Sequence, residues 1–344
     1  MPLPANIRDF QNSLKEYGLD GYIVTHQSDL NYLTDFPQEG FALLVGRRKV
    51  WAMLPMLLKD HFQKSVPGCE ILAAVSLLPA LSKITQKHNL RRVGFDSEKE
   101  LYARGKSLKD AGCVETPSLL AHLRAVKSRR DLERVEKACA MTAAAFRLLK
   151  PNIKPGRSEI SVARELESLM TQLGGEGVAF ETIVASGPNG ALPHHRSSEK
   201  IIGKDQAIVI DFGCVYKLYR SDMTRTVFTG KPNGPYARIY GLVEKSQRAG
   251  MLKVRPGVAA GDVDEASRRV IARAGYGKYF IHSTGHGVGI DIHEPPRVAP
   301  KSREKLRPGM VVTVEPGIYL PGRFGVRIED TLAVTSKGSR ILTQ

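Results

Sequence analysis

Residues 207–226, AIVIDFGCVYKLYRSDMTRT, read as a β-hairpin that carries two aspartates. The apolar, β-branched run at 207–210 is a buried-strand pattern that ends on Asp211, and a second run rich in Tyr, Thr, Val and Phe passes through Asp222. A carboxylate at the end of a buried strand is costly unless something compensates it. A turn centred on Tyr216-Lys217 would set Asp211 directly opposite Asp222, with Cβ atoms about 4.5–5.5 Å apart. Like charges that close, in apolar surroundings, share a proton or hold a cation.

The arrangement recurs downstream. Residues 310–314, MVVTV, run into Glu315, Pro321-Gly322 supplies a turn, and residues 324–328 run into Glu329. A midpoint at Gly322 sets Glu315 opposite Glu329, and two facing pairs present four negative charges that two divalent ions would balance. The flanking elements repeat too. Lys154-Pro155-Gly156 separates a predicted helix ending near Lys150 from another at 159–173, and Arg255-Pro256-Gly257 separates helices at 236–252 and 263–274. The turns are 101 residues apart (154 to 255), and the carboxylates repeat at 104 (211 to 315) and 107 (222 to 329). Each half reads helix, Pro-Gly turn, helix, carboxylate hairpin. Two such halves facing each other would gather the carboxylates at one central site, with helices packed outside.

Residues 1–122 alternate helix and strand signals instead. Helices are expected at 7–17, 58–64 and 98–109, strands at 22–25 and 92–95, and a long strand or hairpin at 41–54. This is an α/β domain. His26, His61 and His88 fit no ligand pattern and read as surface or packing histidines. Ser128-Arg129-Arg130-Asp131 resembles a capping box before a long amphipathic helix, which places the domain boundary near His122. The basic cluster Lys127, Arg129, Arg130 reads as a solvated helix start.

The N-terminal stretch has no basic segment followed by an apolar core, and the longest apolar run, at 50–58, is interrupted by Pro55. A cytoplasmic location with no membrane partner is expected. Cys69, Cys113, Cys139 and Cys214 are scattered without Cys-x-x-Cys spacing and read as small buried residues. The net charge of +16 is uneven: residues 1–125 hold 16 Lys+Arg against 13 Asp+Glu, leaving 35 against 22 in the remainder. No stretch interleaves that charge with aromatics, so a solvated basic surface is expected and nucleic acid is not expected as a partner.

Between the hairpins, residues 280–294, FIHSTGHGVGIDIHE, hold His282, His286 and His293. His286 is the candidate fifth ligand, because Gly285 and Gly287 would let the backbone approach a crowded metal site, with His282 and His293 lining the pocket. The segment matches neither the dinucleotide glycine spacing nor the His-Glu-x-x-His zinc motif. Four carboxylates and an imidazole without sulfur suit manganese, cobalt, zinc or iron(II). Two such ions would activate a water for hydrolysis.

Asp211 in DFG, Asp222 in SDMTRT, His286 in STGHGVG, Glu315 in VEPGIY and Glu329 in VRIEDT resemble the five-ligand signature of the pita-bread metallopeptidases. The chain is similar to their proline-specific branch, the aminopeptidase P and prolidase group. That resemblance implies an α+β fold: a pita-bread catalytic domain with pseudo-two-fold duplication at 123–344, preceded by a smaller α/β creatinase-type domain at 1–122. It implies two divalent ions, manganese first, with Asp211 on one ion, His286 on the other, and Asp222 and Glu329 bridging. Glu315 would ligate the second ion and shuttle a proton. His194, in ALPH, would contact substrate near the scissile bond, with adjacent His195 a lesser candidate, and His293 would steady the tetrahedral intermediate. His282 and Arg327 would be further pocket residues, Arg327 orienting the bridging carboxylates. Arg297 would hold a dipeptide's terminal carboxylate, or else only cap a surface loop. Proline-containing peptides as substrates and a homodimer follow from the same resemblance.

Methionine aminopeptidase shares the ligands but lacks an α/β domain of this size, and creatinase shares the two-domain plan without a functional metal site. Some relatives use the fold without catalysis, to bind peptides, histones or nucleic acids. The basic excess is compatible with that alternative; five intact ligands with His194 and His293 weigh against it.

Overall fold

The computed structural model describes residues 2–232 and 234–344. They form two compact units that divide between Arg124 and Ala125.

In the first unit, strands β1 (Gly21–Val24), β2 (Ala42–Gly46), β3 (Val50–Leu54), β4 (Glu70–Ala73), β5 (Val93–Asp96) and β6 (Val114–Thr116) make one sheet, ordered β4-β3-β2-β1-β5-β6. Neighbours are parallel except where β2 pairs with β1 and β3. The helices are α1 (Ala5–Ser13), α2 (Gln27–Thr34), α3 (Met56–Ser65), α4 (Leu77–His88), α5 (Tyr102–Asp110) and α6 (Leu119–Ala125), the last running up to the division. Alternate strand residues feed two cores. Tyr22, Val24, Leu43 and Val45 pack with Ile7, Phe10 and Leu14, whereas Ile23, Leu44, Trp51 and Met53 pack with Leu81, Ile84 and Leu108. With both faces covered, these strands need no polar alternation. Among the expected elements, the helix at 7–17 stops earlier, at Ser13, and loose turns carry the chain to Gly18 at φ +64. The elements α2, α4, β4 and β6 have weak local signals: α4 contains Pro79, and β4 is an edge strand with exposed ends. His61 packs edge-on against Phe36, and His88 lies tilted against Trp51.

The second unit opens with the capping box, Ser128 and Asp131 bonding reciprocally at the start of α7 (Arg129–Leu149). There follow α8 (Glu159–Gln172), β7 (Gly177–Val178), β8 (Ile183–Ser186), β9 (Ala207–Phe212), β10 (Cys214–Tyr216), β11 (Tyr219–Arg220) and β12 (Met223–Phe228). After these come α9 (Gly234–Met251), α10 (Ala260–Arg273), β13 (Gly285–Gly287), β14 (Glu294–Val298), β15 (Val311–Val314), β16 (Gly317–Leu320), β17 (Phe324–Arg327), β18 (Asp330–Val334) and β19 (Ser339–Ile341). The duplication extends to single hydrogen bonds. Gly156 at φ +92 donates to the Ile202 carbonyl at 2.9 Å, and Gly257 at φ +82 donates to Leu306 at 2.8 Å. An antiparallel bridge follows each turn, Ser158 to Ile201 and Ala259 to Lys305. Each half also has its own core, one around α7, α8 and β9 and one around α10, β15 and β18.

The second carboxylate hairpin has the expected register. Val314 faces Asp330 and Gly317 faces Arg327, so Glu315 stands opposite Glu329. The first hairpin differs. Its turn is Lys217-Leu218, both at positive φ, and Asp211 faces Thr224 rather than Asp222. The Val215–Arg220 pair belongs to the same register. That register puts Asp222 two positions from Thr224 and therefore on the same face as Asp211, as a diagonal neighbour. Two positive-φ residues form a turn matched to the twist of the strands, and that turn chemistry sets the register.

Two further expectations are corrected. Lys127 is no solvated residue: its Nζ lies 3.0 Å from Glu294 Oε2, with both side chains buried, while Arg129 is exposed beside Glu133. All four cysteines are free, but only Cys139 and Cys214 are buried, whereas Cys69 and Cys113 are partly exposed.

The glycines beside His286 serve strand packing. A methyl on Gly285 would strike the Thr313 carbonyl of β15, and one on Gly287 the Pro295 carbonyl of β14. Substituting Gly285→Ala should cost about 1–3 kcal/mol or more, since the obstructing atoms are backbone. Gly241→Ala, inside α9 with nothing near the added methyl, should be stabilising by about 0.5–1 kcal/mol. Urea denaturation of the two variants checks both; equal midpoints would contradict this account of β13.

Candidate metal centre

The two hairpins meet edge to edge. Thr226 Oγ1 bonds the backbone of Arg327, Glu329 N–H donates to the Thr224 carbonyl at 3.1 Å, and Thr331 Oγ1 donates to the Asp222 carbonyl at 2.7 Å. This stitching directs carboxylates from β9, the entry to β12 and the 315/329 pair into one buried cluster. Ligand-competent atoms of Asp222, His286 and Glu329 all lie within 4.8 Å of one another.

Every member has a defined tether. Asp211 Oδ2 accepts from Arg327 Nη2 at 2.6 Å, and Glu329 Oε2 accepts from Thr224 Oγ1 at 2.7 Å. His286 Nε2 lies 3.3 Å from Glu315 Oε1 and 3.5 Å from Asp222 Oδ2. His286 Nδ1 donates to the Gly287 carbonyl at 3.1 Å, which leaves Nε2 as the nitrogen aimed into the cluster. Two buried carboxylate oxygens, Asp211 Oδ1 and Glu329 Oε1, have no hydrogen-bond partner among the described residues.

The crowded carboxylates strain the electrostatics of this cluster. Burial, reinforced by the neighbouring carboxylates, pushes Asp222 and Glu329 well above the usual carboxylate range, and burial raises Asp211 despite Arg327. Burial would raise Glu315 as well, but the hydrogen bond and charge of His286 hold it below its ordinary value. Burial opposes charge on His286, yet Glu315 and Asp222 bring its pKa up to about 9. A set of oxygen donors with orphaned atoms and unwanted protons fits divalent ions, which would replace those protons. Asp211, Asp222, His286, Glu315 and Glu329 are the residues that could hold them.

Around the cluster, Arg327 is a hub. Besides Asp211 it bonds Thr224 Oγ1 at 3.1 Å, the Tyr319 hydroxyl at 2.8 Å and the Pro193 carbonyl at 3.4 Å. The Tyr319 hydroxyl lies 2.8 Å from His282 Nε2, and His282 Nδ1 donates to Ser283 at 2.7 Å. Both ring nitrogens of His282 are therefore engaged within the protein. Burial lowers the pKa of His282, which suits a neutral ring accepting from Tyr319. His293 is exposed and packs edge-on to His286 at 4.2 Å between centroids; its pKa is lowered by burial and by the charge of His286. His194 is exposed and near enough to His293 to be felt electrostatically. Arg297 is exposed on β14.

Tyr319 and Thr224 escaped the sequence reading. Tyr319 follows Glu315 in VEPGIY and Thr224 follows Asp222 in SDMTRT, and each reads as an ordinary strand residue. Only the register, which turns each toward Arg327, reveals it.

Residues 133–336 match the profile of metallopeptidase family M24, and residues 7–126 match the creatinase/prolidase N-terminal domain. The uncharacterised peptidase YqhT of Bacillus subtilis is 36% identical over 342 residues, covering 98% of this chain and 97% of that protein. An Xaa-Pro dipeptidase from Bacillus anthracis superposes with a TM-score of 0.94 at 35% identity, covering 98% and 97% of the two chains. An X-Pro aminopeptidase from Thermotoga maritima gives a TM-score of 0.91 at 28% identity, covering 98% and 97%. The chain belongs to metallopeptidase family M24, with a creatinase-type N-terminal domain ahead of the pita-bread peptidase domain.

Proposed function

We propose that the protein is a two-metal peptidase that hydrolyses the bond between a first residue and proline, acting on dipeptides. The observation that carries the metal part is the buried carboxylate cluster with Asp211 Oδ1 and Glu329 Oε1 unpartnered. The proline part is supported by the names of relatives that match along the chain, an Xaa-Pro dipeptidase and an X-Pro aminopeptidase among them. Asp211 would serve one ion, His286 and Glu315 the other, with Asp222 and Glu329 between them. When bound, the ions supply Lewis-acid polarisation and a water acidic enough to attack at neutral pH.

The chain's own residues would do the rest. Glu315, kept ionised by His286, can take a proton from the attacking water and pass it to the proline nitrogen. That nitrogen carries no hydrogen in the Xaa-Pro amide, so the leaving amine requires one. His293, beside His286, would donate to the developing oxyanion, and His194 would hold the substrate near the scissile bond. Arg297, exposed on β14, would bind the dipeptide carboxylate as a fork. Manganese is the proposed metal, with cobalt, zinc and iron(II) compatible with the same donors. A cytoplasmic homodimer is proposed as well. Among the described residues, no helix is long and apolar enough to cross a membrane.

With manganese added, Ala-Pro should be cleaved and Ala-Pro-Ala should not, and Arg297→Ala should raise KM for Ala-Pro about 10- to 100-fold. Cleavage of the tripeptide alone would make Arg297 a surface residue and the enzyme an aminopeptidase. Asp222→Asn should abolish metal binding and activity while raising the thermal midpoint of the stripped protein at pH 7.5. The sign follows from the raised pKa of Asp222: in stripped wild type the stability it contributes is present below the ordinary carboxylate pKa and is lost as pH rises toward the folded value. A lower midpoint for the stripped variant would contradict this view of the cluster.

A further inference from the structure

Segment 186–198 leaves β8 and presents His194, and its ends and its turn are tied to one carboxylate. Glu159, the first residue of α8, is completely buried. Its Oε1 accepts from the Ser186 N–H at 2.7 Å, the Ser186 hydroxyl at 2.8 Å and Asn189 Nδ2 at 3.0 Å. Its Oε2 accepts from the Ser198 hydroxyl at 2.8 Å, the Ser198 N–H at 3.3 Å and His195 Nε2 at 2.8 Å. A carboxylate ion only accepts, so the His195 proton sits on Nε2 in this arrangement. Burial alone would raise the pKa of Glu159, but this crowd of donors holds it below the usual range, and the N-terminus of a 14-residue helix favours the same anion.

His195 grips the loop twice. Its ring is fixed to Glu159, and its N–H closes a turn on the Leu192 carbonyl at 3.1 Å that encloses His194. On the other side, the Pro193 carbonyl accepts from Arg327, the guanidinium that also holds Asp211. His194 thus stands between a residue tethered to the candidate metal centre and a residue tethered to Glu159.

We infer that Glu159 and His195 form a latch that fixes the loop presenting His194, and that both are positioning residues for the peptidase reaction. The latch is local structure; its catalytic consequence rests on the reading of His194 given above. A reacting group displaced by about 1 Å loses on the order of 10²-fold in rate.

The test uses the whole 344-residue, manganese-loaded chain as wild type, His194→Ala, His195→Ala, His195→Gln and the His194→Ala/His195→Ala double variant. Amide hydrogen exchange and Ala-Pro hydrolysis are measured on each. His195→Ala should exchange faster within 186–198 and nowhere else, with metal content unchanged. Its kcat should fall about 10- to 100-fold, and His195→Gln, which can still donate to Glu159, should recover part of that. Adding His195→Ala to His194→Ala should cause no further loss, because the latch acts through His194. Unchanged exchange in His195→Ala would overturn the latch, and losses that multiply in the double variant would overturn the positioning role. Wild-type activity in His194→Ala would overturn the reading of His194 and with it the catalytic consequence, while the exchange data decide the latch by themselves.

Discussion

Four carboxylates turned inward on one another are the constraint around which the second unit is built. In a low-dielectric interior they cannot all be ionised against a single guanidinium and an imidazole, and the directions of their pKa shifts express that conflict. The fold maintains the conflict because side-chain and backbone bonds along the hairpin seam, Thr224 to Glu329, Thr226 to Arg327 and Thr331 to Asp222, hold the strands in one register. An interior that costs free energy when it contains only protein is well suited to an ion, and a metallopeptidase fold supplies the reason to keep it.

Arg327 extends that logic outward. One planar group satisfies Asp211, Thr224, Tyr319 and the Pro193 carbonyl, so the cluster, the Tyr319-His282 pair and the His194 loop share a fixed partner. A lysine could not reproduce this, since its ammonium lacks the fork. Glu159 plays the complementary part as an anionic hub, gathering the far side of the same loop. A guanidinium on one flank and a carboxylate on the other let an exposed histidine be held by groups that are themselves buried.

Much of this was legible because strand parity is robust. Asp211 and Asp222 were expected opposite one another and prove to be diagonal, yet a shift of two positions keeps both on the same face, whereas a shift of one would have scattered them. The repeated Pro-Gly turns were legible for a similar reason, since few residues suit a positive-φ position after a helix. What stayed hidden depends on long-range pairing. Lys127 reads as part of a basic run until Glu294, far along the chain, is brought to it. His195 looks redundant beside His194, and Glu159 looks like an ordinary first-turn acid, until the loop folds back over α8. Tyr319 acquires a role only when β16 and β17 pair.

The most direct test of the central claim is the number of ions retained when stripped protein is dialysed to equilibrium against manganese at neutral pH. Two ions per chain are expected, one for each pair of negative charges. Retention of none, or of one, would contradict a dinuclear centre and leave the buried carboxylates without their proposed partner.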